Sequence, residues 1–252
     1  MAYYDSKSAE AKAMEGVHLF HFHMSNCSQR VRLALDLKGV DWVSHHLDLS
    51  VGEHMTPDYL AINPNGVVPT LVHDGAVILE SNDIIAYLDT AFAEPPLGPS
   101  DDDADTVARL LHISLVGQDA IKTLSHHFLF RPFRKVAEAD LSAMKAAGAS
   151  DKLVSFMTDY AENGDAWAKR VAQAETEMDL ALKTLETRLK SRRWLTGETF
   201  GLADISWVVN AFRLAQCGWP GDLAALPSYA EWSERAMAEP AFGRAVVNYR
   251  PQ

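Results

Sequence analysis

The chain has 252 residues, of which 48% are hydrophobic and 23% charged, and a formal net charge of −11. That composition suits one or two packed domains, and the acidic balance argues against a nucleic-acid or anionic-membrane partner, since both want a basic patch. No apolar run approaches the roughly 18 residues that a membrane-spanning helix requires.

The opening segment, MAYYDSKSAEAKAMEG, is polar and lacks the apolar stretch of a signal peptide, so residues 1–16 read as a flexible tail. Val17 to Phe22 is a short apolar, aromatic-rich run, a buried strand. Ser28 to Lys38 carries Val31, Ala34, Leu35 and Leu37 at helical spacing, and Gly39 follows as a stop. VDWVSHHLDLS alternates as a second strand. TPDYLAINPNG is a short helical piece running into a turn. VVPTLVHDGAVIL is two strands joined by Asp74-Gly75, a strong hairpin signal. ESNDIIAYLDTAF begins with a cap-like serine and runs helical. The order β-α-β-α-β-β-α gives a small mixed sheet covered by helices, because crossovers join parallel strands and hairpins join antiparallel ones.

AEPPLGPSDDDAD is rich in proline and acid, and reads as a linker over 94–104. Beyond it the strand signals fade and the chain is all-helical to its end, over 105–252. Thr106 to Gln118 is helical. Ala172 to Lys190 is a long amphipathic helix with Met178, Leu182, Leu185 and Leu189 along one stripe. LADISWVVNAFRLAQCG is nearly all apolar, a helix for the core of the second domain. The stretch from Arg131 to Lys169 carries several charges and no clear period.

Two cysteines, Cys27 and Cys217, are too few for a disulfide framework or a cysteine-ligated zinc site, and fit a reducing cytoplasm. Ten histidines invite a metal, but His21 and His23, His45-His46 and His126-His127 lack a further ligand at metal spacing, so none is expected.

Three short segments carry the chemistry. In HFHMSNCSQRVRLALDLKG, Ser25 sits where a strand ends and a helix begins. Its hydroxyl serves either as a helix cap or as a donor to a thiolate, and the helix N-terminus adds positive potential. Cys27 lies in the first turn of that helix, where thiols ionise more readily; its other reading is a small packed residue. Pro69, between strand segments, is unusual because proline cannot donate to a sheet ladder. A cis bond before it sets the Val68 N–H and C=O at an exposed corner, free for a ligand. Glu80-Ser81 stands at a strand-to-helix junction, where a hydroxyl and helix amides suit a carboxylate, or where the serine merely caps.

Taken together these segments resemble the cytosolic glutathione transferases, closest to the zeta-like and tetrachlorohydroquinone-dehalogenase-like groups. SNCSQRVRLALDLKGVDW is similar to their SxCxxRVRIAL segment. NPNGVVPTL and LESNDIIAYLD are similar to their cis-proline and γ-glutamyl-binding segments, and QAETEMDLALKTLETRL with WLTGETFGLADISW to their core helices. The resemblance implies a thioredoxin-like glutathione-binding domain over 17–93, a helical substrate domain over 105–252, and a homodimer. It implies glutathione as co-substrate, held by Val68, Pro69, Glu80 and Ser81. Catalysis falls to Ser25, which stabilises the thiolate, and to Cys27, which resolves a glutathione–substrate thioether by forming a mixed disulfide. The implied reaction is attack on a hydrophobic, aromatic electrophile: conjugation, dehalogenation or aryl-ether cleavage. HHFLFRPF is a candidate wall for that substrate.

There are departures. Gly201 stands where the family has a serine or threonine before the buried aspartate, here Asp204. Val67 replaces a zeta-class glutamine, and Asn26 replaces the second serine of the zeta motif. Two alternatives stay open. One is cis–trans isomerisation of a maleyl compound, for which Arg131 and Arg134 would supply a basic pocket. The other is a non-catalytic binding module on the same scaffold.

Overall fold

A computed structural model describes residues 3–133, 135–146, 148–219 and 221–251. The first part of the chain forms a five-stranded mixed sheet from β1 (Tyr3–Tyr4), β2 (Val17–His21), β3 (Val43–His46), β4 (Thr70–His73) and β5 (Ala76–Ile78), in spatial order β1-β5-β4-β2-β3. β2 and β3 run parallel, and every other neighbouring pair is antiparallel. Helices α1 (Ala9–Lys12), α2 (Asn26–Lys38), α3 (Pro57–Ile62) and α4 (Ser81–Ala91) cover the sheet.

Strand alternation divides the apolar side chains between two faces. Leu19, Leu71 and Ile78 pack with Val31, Leu35, Ile84 and Leu88 of α2 and α4. Phe20, Val72 and Val77 point the other way, onto Tyr59, Ile62 and Ala11. Asp74 and Gly75 both have positive φ (48° and 77°), the geometry that a two-residue hairpin demands, and a Cβ at Gly75 would press on the Lys12 carbonyl.

The expectation of a flexible tail is corrected here. Tyr3 and Tyr4 pair with Ile78 and Val77 as an edge strand, and Ala11 is fully buried. The serines that made this segment look like a loop are committed locally: Ser6 Oγ donates to the Ala61 carbonyl, and Ser8 Oγ accepts from the Ala11 N–H to cap α1. Met1 lies outside the described residues.

The second part is helical: α5 (Ala104–Val116), α6 (Gln118–Leu124), α7 (Glu138–Ala146), α8 (Asp151–Glu162), α9 (Asp165–Leu189), α10 (Leu202–Cys217), α11 (Pro227–Met237) and the short α12 (Pro240–Phe242). The aperiodic stretch resolves into α7, α8 and the start of α9. α9 begins well before Ala172, with Trp167 and Val171 buried against Phe156, Met157 and Tyr160 of α8. Helix α10 lies at the centre, buried around most of its circumference.

Asp204 sits in the first turn of α10 and accepts from the Leu195, Thr196 and Gly201 N–H groups and from Trp232 Nε1. Burial pushes its carboxyl up from the usual range while these donors pull it back. The segment between the two parts is tied down at Leu97, whose N–H donates to Asp89 and whose carbonyl accepts from Leu202 N. That contact explains Gly201: a Cβ there would overlap the Leu97 carbonyl oxygen, so neither serine nor threonine fits.

Helix α2 joins the halves. Asn26 Nδ2 donates to the Val209 carbonyl and to Asn210 Oδ1, Arg30 Nη2 to the Ser206 carbonyl, and Arg32 Nε to the Ala245 carbonyl. In return, Arg213 Nη2 donates to the Met24 carbonyl at 2.6 Å, and Arg244 pairs with Asp36. Near the C-terminus, Tyr249 lies under the Arg32 guanidinium and stacks on Trp42. Among the described residues no helix is long and apolar enough to cross a membrane.

Candidate active site

Sheet register brings the three sequence segments to one end of the molecule. In the antiparallel pairing of β2 with β4, Phe20 faces Thr70, so the exit of β2 adjoins the entry of β4. Ile78 faces Leu71, so the exit of β5 adjoins the same point. Ser25 follows β2, Val68–Pro69 precedes β4, and Glu80-Ser81 follows β5. All three therefore border one edge.

Ser25 is the N-cap of α2, which begins at Asn26 rather than Ser28. Its backbone is extended (φ −71°, ψ 123°), and its Oγ accepts from the Ser28 N–H at a long 3.3 Å. Acting as acceptor leaves the hydroxyl proton available as a donor. The residue is half-buried at the positive end of a 13-residue helix.

Cys27, in the first turn of α2, is half-buried and free. Its Sγ donates to Gln118 Oε1 at 3.3 Å, and Gln118 Nε2 donates to the Ser114 carbonyl one turn back. The second bond fixes the amide: nitrogen faces Ser114, so oxygen faces the thiol. Gln118 was not singled out in the sequence, because nothing local distinguishes it; only the tertiary fold, which brings the start of α6 to the N-terminus of α2, makes it a neighbour of Cys27.

The Val68–Pro69 bond is cis. Tyr59 Oη and Asn63 Nδ2 both donate to the Val67 carbonyl, at 2.6 and 2.9 Å, and hold the loop. No described residue hydrogen-bonds the Val68 N–H or C=O, although the residue itself is buried, so its main-chain groups are unpaired at the sheet edge that Ser25 also borders.

At the third segment the serine is not a cap. Glu80 occupies the cap position with φ 63°, no side chain caps the helix, and Ser81 is its first residue. Positive φ costs a glutamate about 1–2 kcal/mol, and it lacks the excuse of Asp74 and Asn163, whose short polar side chains tolerate that region. Glu80 is exposed. Ser81 is buried, and its Oγ accepts from Arg30 Nη1 at 2.7 Å.

Behind this edge runs a buried polar network. Ser206 Oγ donates to Asn82 Oδ1, Asn82 Nδ2 donates to Ser114 Oγ, and the Ser114 and Ser206 hydroxyls meet at 2.5 Å. Arg30 and Gln118 attach at its two ends.

Of the candidate substrate wall, His126 packs edge-on against Phe130, Phe156 and Tyr160 in the helical core, while Phe130 also lies under Arg213. The exposed end of that segment is Phe133. Arg131 is spent on the Tyr160 carbonyl and on the Tyr160 and Trp167 rings. Arg134 lies outside the described residues. Among the described residues no three His, Cys, Asp or Glu side chains are placed to hold a metal ion. His23 and His46, like His18 and His45, instead pair at 2.9 Å.

Residues 19–96 match the glutathione S-transferase N-terminal domain, and residues 165–235 match the C-terminal domain. Glutathione S-transferase 1 of Dianthus caryophyllus is 33% identical over 87% of this chain and 85% of its own length. The chain belongs to the glutathione S-transferase family. This transferase is also 26% identical to the tetrachloro-p-hydroquinone reductive dehalogenase of Sphingobium chlorophenolicum, over 93% of this chain and 97% of the dehalogenase. Its fold matches that of the β-etherase LigF from Sphingobium sp. strain SYK-6, with a TM-score of 0.80 at 20% identity, covering 92% of this chain and 99% of that one. The transferase is thus an enzyme whose co-substrate is glutathione, with the mixed-sheet and all-helical halves of that family's fold.

Proposed function

We propose that this transferase activates glutathione at Ser25 and delivers the thiolate to a hydrophobic aromatic electrophile. The observation that carries the reading is the Ser25 hydroxyl at the N-terminus of α2, bordering the same sheet edge as the unpaired main chain of Val68. In this reading residues 17–93 bind glutathione, 94–104 link, and 105–252 form the substrate domain. Glutathione lies extended, its cysteinyl backbone paired with Val68 beside Pro69. Its γ-glutamyl carboxylate rests on Ser81 and the first amides of α4, with Glu80 beside the amine. The sulfur then falls by Ser25, whose hydroxyl favours the charged form by hydrogen bonding to it.

Cys27 stands two residues beyond Ser25, in the first turn of α2, ready to attack a glutathione–substrate thioether. Its sulfur bonds the glutathione sulfur as the aryl carbon–sulfur bond breaks and the aryl carbon takes the electron pair and a proton. The mixed disulfide is cleared by a second glutathione. The dehalogenase likeness and the retained Cys27 favour this reductive outcome over simple conjugation. A maleyl dicarboxylate is the weaker substrate, because Arg131 is bound into an aromatic cluster. The protein works as a homodimer in the cytoplasm.

A panel of haloaromatics, aryl ethers and maleyl acids, each assayed with glutathione and analysed by mass spectrometry, tests the proposal. Turnover of the aromatic substrates is expected. Turnover of maleyl acids alone would overturn the substrate class.

A further inference from the structure

Arg30 is the most completely buried cation of the described chain, with no exposed surface and no carboxylate among the described residues within 4.0 Å. Its Nη2 donates to the Ser206 carbonyl and its Nη1 to Ser81 Oγ, while its Nε has no partner at all. Burial pushes its guanidinium down from the ordinary range, but an arginine does not lose its proton inside a protein. A buried, uncompensated positive charge is expensive unless an anion answers it.

The place of that anion follows from Ser81. A serine hydroxyl has one proton and two lone pairs. Arg30 occupies a lone pair at 2.7 Å, so the proton must point elsewhere, and no described residue accepts it. Ser81 is also the first residue of α4, whose leading amides face the same way.

We infer that Arg30 is a positioning residue for glutathione: it fixes Ser81 as a donor and supplies, through it, the positive charge that recognises the γ-glutamyl α-carboxylate. This rests on the placement of that carboxylate at Ser81 proposed above. The carboxylate accepts the Ser81 proton and the amides of α4, and lies one hydroxyl away from the cation. The charge is held in the protein interior, where water screens it little, and the ligand meets only a serine. Arg30 therefore selects for the free α-carboxylate of the γ-glutamyl group without touching it.

Calorimetric titration of the unmutated protein and of Arg30→Met and Arg30→Gln with two ligands tests this. One ligand is glutathione. The other is γ-aminobutyryl-cysteinyl-glycine, which lacks the α-carboxylate alone. The unmutated protein should prefer glutathione by roughly 10- to 100-fold, the range of one charge-assisted hydrogen bond, and both variants should lose most of that preference while binding the analogue nearly as before. A merely structural Arg30 would weaken both ligands together and leave the preference intact, which overturns the proposal but not the Ser81 placement. No preference in the unmutated protein overturns the placement and the proposal with it. Nitrogen NMR of the arginine side chains in the unmutated protein covers the case in which neither variant folds. Glutathione should shift a buried guanidinium signal that the analogue leaves alone, and identical spectra with both ligands refute the role.

Discussion

Replacing Ser25 separately by alanine and by glycine parts its two duties. As N-cap, its Oγ accepts from the Ser28 N–H at 3.3 Å, a long bond at the weak end of the range. Alanine should therefore cost about 0.5–1 kcal/mol of stability, and glycine only a few tenths. As thiolate donor, Ser25 contributes nothing in either variant. A hydrogen bond to a charged group is worth about 1.5–3 kcal/mol, which corresponds to a rise of about 1–2 units in the thiol pKa of bound glutathione. Loss of one aimed donor lowers kcat by roughly 10²-fold or more. The two variants should thus differ in urea midpoint yet share one rate loss, and both should recover part of it as pH rises and hydroxide supplies the thiolate. Stability is read from urea melts, and the rate from kcat/KM against pH with an activated aryl halide. Thiolate formation is read from the ultraviolet absorbance of the glutathione complex. A glycine variant that keeps the native rate and pH profile would refute the reasoning and leave Ser25 as a cap alone.

Cys27→Ala should spare conjugation but stall reductive turnover, with the glutathione thioether accumulating in the mass spectrum; equal loss in both assays would restrict Cys27 to packing. Burial, the Arg32 guanidinium and the neighbouring histidines His46, His23 and His45 hold the His21 pKa down at about 3, against an ordinary 6.5. The unfolded chain therefore binds the extra proton first: stability is full above about pH 6.5, falls as pH drops towards 3, and is lower by about 2 kcal/mol at about pH 5 from this residue alone. His21→Gln should flatten the pH dependence of the urea midpoint over that window by about that amount, and an unchanged slope would show that His21 is not the group responsible. Gly201→Ser should destabilise by about 1–3 kcal/mol, because its Cβ meets the Leu97 carbonyl and Thr196, even though serine is the better cap; a more stable variant in thermal melts would show that the capping preference wins there.

Period and punctuation made the sheet, the α2 and α4 helices and the all-helical second half legible in the sequence. They act locally, and the Asp74-Gly75 turn and the Gly39 stop fall where their chemistry puts them. The tail was misread because Ser6 and Ser8 look like loop residues until one sees that their hydroxyls serve Ala61 and Ala11. The cap-like reading of Ser81 fails for a similar reason: a serine opening a helix normally caps it, but Glu80 takes the cap position in a left-handed turn that no propensity anticipates. Gln118 and Ser206 reach the site only through packing. Arg30 did leave a trace. Its neighbours one turn away on α2 are Asn26, Cys27, Leu33 and Ala34, so the cation has no local carboxylate, only the Cys27 thiol, and lies in a largely apolar stretch.

The seam between the halves leans heavily on main-chain oxygen. Of the bonds that α2 sends across, those from Asn26, Arg30 and Arg32 end on the carbonyls of Val209, Ser206 and Ala245, and Arg213 answers on that of Met24. Every amino acid carries a carbonyl. Apart from Arg213 itself and Asn210, whose Oδ1 takes a second bond from Asn26, the side chains of the helical half are therefore free to drift, residue by residue, without loosening these anchors, so long as the helices keep their axes. Substrate preference can then diverge over a glutathione site that stays where it is, a division between variable and invariant surface written into the choice of acceptor atom.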